Sequence, residues 1–406
     1  MTWRKVRLGD IAVSIQPGPF GTQLHSSDYA ESGTPIIMPK DMINGRIRHT
    51  DLLYIGEDHL HRLQRHQVHK GNIMVARKGD VRKCVYITEN EEGWMTGSDC
   101  LKVALNEEIC FPKFIYYQLR SPYIGKWLET ISIGATMPSL NTGLLSGIEL
   151  YLPSYPVQQR ISSILSAYDD LIENNQKQIK LLEEAAQRLY KEWFIDLRFP
   201  GHESTPIVNG IPEGWKKDSV DTFFDISIGK TPPRAEKQWF VDGGDGIPWV
   251  SISDMGNSGP FLFDTTEGLT VEAVQTHNVK IVPSGTILLS FKLTVGRVSI
   301  TTTDMCTNEA IAHFRIDAIL RSYTYLYLKA FEYDKLGNTS AISKAVNSRI
   351  IKAMPFIMPD TQTLESFSRS VSPMLDETYV IQAQNQRLTE TRDRLLPKLM
   401  SGEMEV

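Results

Sequence analysis

The chain has 406 residues, and because a single hydrophobic core rarely grows that large, we expect at least two domains. Hydrophobic residues make up 41% of the chain and charged residues 22%, a composition that excludes a disordered or fibrous protein. The net charge of -5 argues against a protein that coats nucleic acid with its whole surface, so any surface for phosphate must be local.

Membrane and disulfide classes are not favoured either. No apolar run approaches the roughly 18 residues of a membrane span, and MTWRKVRLGD (1–10) lacks the apolar region of a signal peptide, so a cytoplasmic protein is expected. The cysteines at positions 84, 100, 110 and 306 form no CxxC pair and have no histidine at zinc-finger spacing, which predicts reduced thiols without a metal.

The first 153 residues have the pattern of a mixed domain. Short runs such as GNIMVA (71–76) and KCVYI (83–87) are typical of strands and are separated by Gly, Pro and Asp turns. FPKFIYYQLRSPYIGKWLE (111–129) has helical periodicity instead. An α+β domain is therefore predicted.

Basic side chains are concentrated between residues 40 and 83 of this domain. Ten Lys or Arg residues stand against five Asp or Glu residues, a local excess of 10 - 5 = +5 in an acidic protein. This patch indicates contact with nucleic-acid phosphates, and a solvated face without a ligand is the alternative.

His59, His66 and His69 could converge on a metal ion, but the interleaved Arg and Lys residues would repel a dication, so no metal is expected.

A long helix is predicted over residues 154–200, because apolar residues recur there at the alternating spacings of four and three that define a coiled-coil seam. A helix of about 40 residues spans roughly 60 Å, which is enough to hold two domains apart. The seam positions are Ile161, Leu165, Tyr168, Ile172, Asn175, Ile179, Leu182, Ala186, Leu189 and Trp193.

Residues 201–406 repeat the first half of the chain. Pro153 corresponds to Pro359, an offset of 359 - 153 = 206, and this offset holds without a gap through the helix that follows. Upstream, PIIMPKDM (35–42) corresponds to PWVSISDM (248–255), with a change of offset that loops of different length explain. The chain therefore reads as domain, helix, domain, helix, with boundaries at 1–153, 154–200, 201–358 and 359–406.

The C-terminal helix keeps the register of the first with a more polar seam, so the two stripes could pack on each other. Its seam positions are Phe367, Val371, Met374, Thr378, Ile381, Asn385, Leu388, Arg392, Leu395 and Leu399. Asn175 and Asn385 lie near the middle, where buried amides would penalise wrong registers; the alternative is that both face solvent. Pro373 lacks the N–H needed inside a helix, which predicts a discontinuity near Ser372.

Catalytic motifs are missing where an enzyme would need them. IGKT (228–231) is similar to the end of a phosphate-binding loop, but Phe224 stands where that loop requires glycine. TPP (231–233) is similar to part of an amino-methyltransferase motif, but Arg234 replaces the aromatic residue that stacks on a flipped base. GxSxG, HExxH and GxGxxG do not occur, so a chain that is not an enzyme is expected.

Over essentially its whole length the sequence resembles the specificity subunit of type I restriction-modification systems. The resemblance is carried by IQPGPFGTQLHSSDY (15–29), by the phrase from LPSYPVQQRISSIL to RLYKEWF (152–194), and by NQRLTETRDRLLPKLMSGE (385–403). It implies two target recognition domains that each read half of a split double-stranded DNA sequence, with the two helices packed antiparallel as a spacer. It also implies two modification subunits that bind S-adenosylmethionine and methylate adenine, and two restriction subunits that use ATP and Mg.

By position, the resemblance matches Gly18, Phe20, Gln23 and His25, and in the second copy Gly229, Thr231 and Arg234, to family loops that face DNA. GKTPPR (229–234) replaces PGPFGT (17–22) in the second copy, so an asymmetric target is expected. With the basic residues added, the candidate DNA-binding set is Gly18, Phe20, Gln23, His25, Arg46, Arg48, Arg62, Arg65, Lys70, Arg77, Lys78, Lys83, Lys230, Thr231, Arg234, Lys237, Lys292 and Arg297. The alternatives are a stand-alone DNA-binding or architectural protein, which exposed Trp193 and Phe194 would disfavour, and an independent nuclease or methyltransferase.

Overall fold

The structure is a computed structural model that describes residues 3–131, 139–336 and 346–406. The chain divides into two compact units: the first consists of Met1–Leu171 and Leu388–Val406, and the second of Ile172–Arg387. The division falls within both long helices, so the four-segment boundaries drawn from the repeat stay a prediction. None of the helices within the described ranges is long and apolar enough to cross a membrane.

The first unit is built from short strands with helices at their ends. Its strands are Arg4–Arg7 (β1), Ala12–Pro17 (β2), Tyr29–Ala30 (β3), Thr34–Ile37 (β4), Met42–Ile43 (β5), Arg46–Ile47 (β6), Leu53–Ile55 (β7), Ile73–Ala76 (β8), Cys84–Tyr86 (β9), Met95–Thr96 (β10), Cys100–Leu105 (β11) and Glu149–Leu152 (β12). Its helices are Leu8–Ile11 (α1), Glu57–Arg62 (α2), Pro112–Leu119 (α3), Pro122–Ile131 (α4), Thr142–Ser146 (α5) and the first part of Tyr155–Tyr190 (α6).

Two four-stranded sheets organise the described part of this unit. One has the order β2-β11-β8-β9 and is antiparallel, and the other has the order β10-β4-β7-β3, in which β10 and β4 are parallel. The predicted helix at 111–129 is confirmed as α3 and α4, and Pro112 fits the first turn of α3 because its missing N–H would have no partner there. Phe114, Ile115 and Leu165 are fully buried in the core that these elements share.

The second unit repeats this plan. Its strands are Ile207–Val208 (β13), Ile211–Pro212 (β14), Lys216–Ser219 (β15), Asp225–Ile228 (β16), Phe240–Asp242 (β17), Ile247–Val250 (β18), Phe261–Leu262 (β19), Glu267–Leu269 (β20), Ile287–Ser290 (β21), Val298–Thr301 (β22), Cys306–Thr307 (β23), Ile311–Arg315 (β24) and Pro355–Met358 (β25). Its helices are the rest of α6, Val220–Phe223 (α7), Ile252–Asn257 (α8), Val271–Thr276 (α9), Ala318–Ala330 (α10), Ser348–Lys352 (α11) and most of Thr361–Ser401 (α12).

The sheet topology confirms the internal duplication and the α+β class. The order β16-β24-β21-β22 repeats β2-β11-β8-β9, with β19 added at its edge, and β17-β20-β18-β23 repeats β3-β7-β4-β10. Even the helix caps repeat: the side chain of Asn141 accepts a hydrogen bond from the Leu144 N–H at the start of α5, and Asn347 does the same for Ile350 at the start of α11.

Helices α6 and α12 pair antiparallel within each unit. In the first unit the Asp169 carboxylate lies 2.7 Å from the Arg392 guanidinium, and in the second the Asn175 amide donates to the side-chain oxygen of Asn385 at 2.8 Å. None of the 20 predicted seam residues is classed as exposed. Asn175 is only 3% exposed, so this amide is buried and paired and does not face solvent.

Two expectations about these helices are wrong. No break occurs near Ser372, because α12 runs through Pro373 from Thr361 to Ser401. The flanking Val371 and Leu375 are buried in the core, and burying two such side chains contributes about 3–6 kcal/mol, which offsets the roughly 3 kcal/mol that proline costs inside a helix.

The second wrong expectation is the exposure of two aromatic residues at the end of the first long helix. Trp193 and Phe194 are each only 8% exposed. They lie in a π-helical turn, Lys191–Ile195, and the Phe194 ring packs edge-on at 4.7 Å from Phe367 and at 4.6 Å from Tyr323. These aromatics therefore close the core of the second unit.

Candidate nucleic-acid interface

Glycine anchors the loop that leaves β2. The Gly18 N–H donates to the Cys100 carbonyl at 3.0 Å, and a Cβ at this position would lie 1.9 Å from the carbonyl oxygen of Gly97. No side chain fits such a close approach of two backbones. Residues 18–28, called the Gly18 loop below, are therefore fixed against the segment that precedes β11.

The second unit repeats this anchor. The Gly229 N–H donates to the Ile311 carbonyl at 3.1 Å, and a Cβ here would lie 2.1 Å from the Asn308 carbonyl oxygen. Residues 229–239, called the Gly229 loop, leave β16 as the Gly18 loop leaves β2. Both loops that the resemblance singles out thus occupy the same place in their sheets.

An aromatic residue and a cation lie together beside the Gly18 loop. The Phe20 ring is 53% exposed, and the Arg77 guanidinium lies over it at 5.2 Å from the ring centroid. The Arg77 N–H donates to the Asp99 carbonyl at 2.7 Å, and the Lys78 ammonium lies 3.0 Å from the Asp99 carboxylate. The segment that follows β8 therefore places Arg77 next to the loop and Lys78 beside Asp99.

The far end of the Gly18 loop is also basic. The backbone N–H of His25 donates to Asp28, which is the main reason that the pKa of this carboxyl is lowered, and the charges of His59, His25 and Arg62 lower it further. The Arg62 guanidinium lies 3.3 Å from the His59 ring nitrogen. Helix α2 thus brings part of the predicted basic patch beside the loop.

A buried lysine that the sequence analysis did not select holds this arrangement. The Lys102 ammonium is 7% exposed and donates to the carbonyl oxygens of Arg65 at 2.8 Å and Gln67 at 2.6 Å, while burial lowers its pKa. The neighbouring His66 ring contacts the Pro17 carbonyl at 3.1 Å, and the Arg65 guanidinium donates to His66. The only sequence signal was one lysine inside the apolar strand CLKVAL.

The Gly229 loop offers a different set of groups. The Arg234 guanidinium lies over the Phe240 ring at 4.3 Å and over the Trp249 ring at 4.5 Å, and it pairs with Glu267 at 2.8 Å. This stacking holds the guanidinium plane in a defined orientation. The Lys230 ammonium donates to the His277 carbonyl at 2.5 Å.

A carboxylate lies among these cations. The Thr231 hydroxyl donates to Glu309 and is the main cause of the lowered pKa of that carboxyl, and the charges of Lys292 and Arg234 lower it further. Thr231, Arg234 and Lys292 therefore lie around one acidic group, as Lys78 lies beside Asp99 in the first unit.

His313 lies beneath the Gly229 loop and makes the second unit sensitive to acid. Its ring is fully buried between the hydroxyls of Ser227 at 3.0 Å and Thr307 at 2.7 Å, and burial lowers its pKa to about 4. Between pH 6.5 and pH 4 the unfolded chain binds a proton that the folded chain does not, so stability present above pH 6.5 is lost as the pH falls, by about 3 kcal/mol in total.

The measurement for His313 is urea unfolding at a series of pH values. We expect His313→Gln, which keeps polar groups but cannot titrate, to reduce the loss of stability between pH 6.5 and pH 4. An unchanged slope in this variant would assign the acid sensitivity to other groups.

Other predicted residues have partners within the protein, and their contact with DNA stays a prediction. Lys83 donates to the Pro39 carbonyl at 3.2 Å, and Arg297, at the corresponding position of the second unit, donates to the Ile252 carbonyl at 2.5 Å. The remaining contacts are Arg46 with the Asp169 carbonyl, Arg48 with Asp41, and Lys70 with Glu89. In contrast, the buried side-chain oxygen of Gln23 has no hydrogen-bond partner among the described residues, and Lys237 is exposed.

The candidate metal and thiol residues are dispersed. His59, His66 and His69 contact Arg62, the Pro17 carbonyl and Glu92, respectively. No group of three or more His, Cys, Asp or Glu side chains within the described ranges could hold a metal ion. All four cysteines are free and buried, and burial raises the thiol pKa of Cys84, Cys110 and Cys306 to about 12.

Comparison with known proteins agrees with this architecture. Residues 1–184 and 212–386 match the family described as type I restriction modification DNA specificity domain. The HindI specificity subunit of Haemophilus influenzae is 24% identical, with 99% of each chain covered, and the MjaIX specificity subunit of Methanocaldococcus jannaschii is 28% identical over 72% of this chain and 69% of that one.

A solved structure shares the fold. The type I restriction-modification S subunit from M. genitalium superposes with a TM-score of 0.59 at 15% sequence identity, covering 98% of this chain and 96% of that one. Together with the family match over most of the chain, these findings establish what the repeat and the paired helices indicated. The chain belongs to the family of type I restriction-modification DNA specificity subunits, which recognise DNA and are not themselves catalytic.

Proposed function

We propose that this chain reads a bipartite, asymmetric double-stranded DNA target and acts as the scaffold for the subunits that modify and cleave DNA. One observation carries the proposal: the same glycine-anchored loop occurs in both units but presents different side chains. Phe20 and Arg77 stand at the first loop, and Thr231 and Arg234 stand at the second. Two copies of one reader with different contact groups would read two different half-sites.

The chemistry of the two loops suits base recognition. A guanidinium held flat, as Arg234 is by its two aromatic neighbours, can donate two hydrogen bonds to one guanine. The exposed Lys78 and Arg62 suit phosphates, which fix position without specifying sequence. The two loops therefore contact different bases, and the surrounding cations contribute affinity for the DNA phosphates.

The partners follow from the family. We propose two modification subunits that bind S-adenosylmethionine and methylate adenine, and two restriction subunits that use ATP and Mg. The chain would work in the cytoplasm, where such a complex meets DNA.

Coexpression with a modification subunit from the same genome tests this function. We expect a stable complex that methylates adenine at N6 within one split, asymmetric sequence, detected by single-molecule sequencing of the host DNA. Methylation of a continuous palindrome, or no complex at all, would contradict the proposal. Sequence-specific binding by the chain alone, without any effect of the partner, would favour a stand-alone DNA-binding protein.

Removing one cation of the first unit should weaken binding in a way that salt reveals. Arg62→Ala is expected to lower the affinity of the complex for target and non-target DNA alike, and to make the slope of log affinity against log salt shallower by about one. Fluorescence anisotropy at several salt concentrations measures this slope. Arg4→Ala, which removes an exposed cation on β1, is the control and should leave it unchanged.

A further inference from the structure

The loop between β21 and β22 carries an unusual apolar side chain. Leu293 is 98% exposed, more than any other large hydrophobic residue in the ranges described, and its φ is 61°. A bulky residue disfavours the left-handed region, and an apolar one disfavours full contact with water. Leu293 therefore goes against two local preferences at once.

The exposure of Leu293 belongs to a well-anchored loop. The Ser290 hydroxyl donates to the Thr294 carbonyl at 2.6 Å, and the Gly296 N–H donates to the Ser290 carbonyl at 2.9 Å. The Arg297 N–H donates to the Ser290 hydroxyl at 3.0 Å. These bonds close the loop beneath Leu293 and hold its side chain away from the core.

The first unit shows that the backbone does not need a leucine here. The two units share the register of this hairpin, because Val75 pairs with Cys84 in the first unit and Leu289 pairs with Val298 in the second. Four residues after Val75 stands Gly79, and four residues after Leu289 stands Leu293. Gly79 also has a positive φ, of 77°, which glycine adopts without strain. The local geometry favours glycine, so the leucine gains nothing from the backbone at this position, and a contact outside the fold would account for it.

The neighbours of Leu293 identify that contact. Lys292 precedes it and is exposed, and the charges of Lys292 and Arg234 both act on Glu309 beside the Gly229 loop. An exposed apolar side chain that follows an exposed lysine, near the loop proposed to contact DNA, matches the wedges that proteins insert between base pairs from the minor groove. The cations suit the flanking phosphates, and the leucine suits the stacked faces of the bases.

We propose that Leu293 inserts between two base pairs of the half-site read by the second unit and unstacks them. The inference rests on the proposed function and adds a specificity-determining residue to it. A base step that unstacks easily would be preferred at this point of the target, although no hydrogen bond reads it. The first unit has Gly79 at this position and inserts nothing there.

Fluorescent base analogues test the wedge in the assembled complex with its modification subunit. With 2-aminopurine or pyrrolo-cytosine placed in turn at each adenine or cytosine other than the methylated adenines, we expect fluorescence to rise on binding at one step of one half-site. Leu293→Gly should abolish the rise and weaken target binding about tenfold. Its thermal stability should equal or exceed that of the wild type, because glycine relieves the strained φ. Leu293→Met should retain the signal.

Ile207→Ala, which removes another exposed apolar side chain, is the matched control and should behave as the wild type does. If the wild-type complex methylates a bipartite target but no analogue responds, or if Leu293→Gly binds as tightly as the wild type, the wedge is overturned and the proposed function stands. If the complex recognises no bipartite target, the proposed function fails and the wedge fails with it.

Discussion

Replacing Asp169 with alanine is expected to destabilise the first unit by about 3 kcal/mol, because the substitution removes the less exposed of the two carboxylates that pair with Arg392 and leaves only Asp393, which is 57% exposed. The Asp169 carboxylate lies 2.7 Å from the Arg392 guanidinium, accepts a hydrogen bond from the Tyr117 hydroxyl at 2.7 Å, and lies 3.8 Å from Arg120. The side chains of Asp169 and Arg392 are each only 12% exposed, so water cannot replace the lost partner.

Urea unfolding of the purified chain measures this effect. Asp170→Ala is the control, since the neighbouring carboxylate is 70% exposed and approaches Arg46 only at 3.8 Å, and it should change the free energy of unfolding by less than about 1 kcal/mol. Equal stability of the two variants would show that the Asp169 network contributes nothing beyond a surface ion pair.

The network also distinguishes the two copies of the repeat. The offset of 206 places Leu375 at the counterpart of Asp169 (169 + 206 = 375) and Ala186 at the counterpart of Arg392 (392 - 206 = 186). Both counterparts are buried in the core of the second unit. The corresponding positions of the two helices are therefore charged in one unit and apolar in the other.

Gly229→Ala should have the largest effect on DNA recognition. The added Cβ would lie 2.0 Å from the Thr307 hydroxyl and 2.1 Å from the Asn308 carbonyl, so the Gly229 loop must move away from the strand that precedes β24. Thr231 and Arg234 would move with it. We expect affinity for the target to fall about a hundredfold, equivalent to roughly 2.8 kcal/mol, while binding to non-target DNA falls far less.

Gly244→Ala is the matched control, because nothing lies within 4 Å of a Cβ built there and its φ is not positive. Competition binding with target and scrambled DNA measures both variants. A Gly229→Ala complex that keeps the wild-type preference for its target would remove the Gly229 loop from recognition.

Sequence reasoning succeeded where a pattern repeats along the chain. The seam positions of both helices, the helical segment that became α3 and α4, and the pairing of PIIMPKDM with PWVSISDM in β4 and β18 all follow from periodicity or self-similarity. Such signals sum over many residues, so a single exception does not disturb them.

The partners of single polar residues were harder to predict from the sequence. Arg392 was predicted in the seam, but its partner Asp169 lies at no seam position, so spacing alone could not pair them. The basic patch was likewise predicted from charge. In the structure Arg62 lies near the Gly18 loop, Lys78 pairs with Asp99, and Lys83 donates to a carbonyl within the fold. Charge predicts that a cation has a partner but does not say which one.

Exchange of one domain shows whether each unit reads its own half-site. Residues 1–150 would be replaced by the corresponding residues of a related specificity subunit, and the methylated target of the resulting complex would be determined by sequencing. We expect one half of the target to change to a new sequence while the other half is retained. A target in which both halves change, or neither does, would contradict the claim that each glycine-anchored loop reads its own half-site.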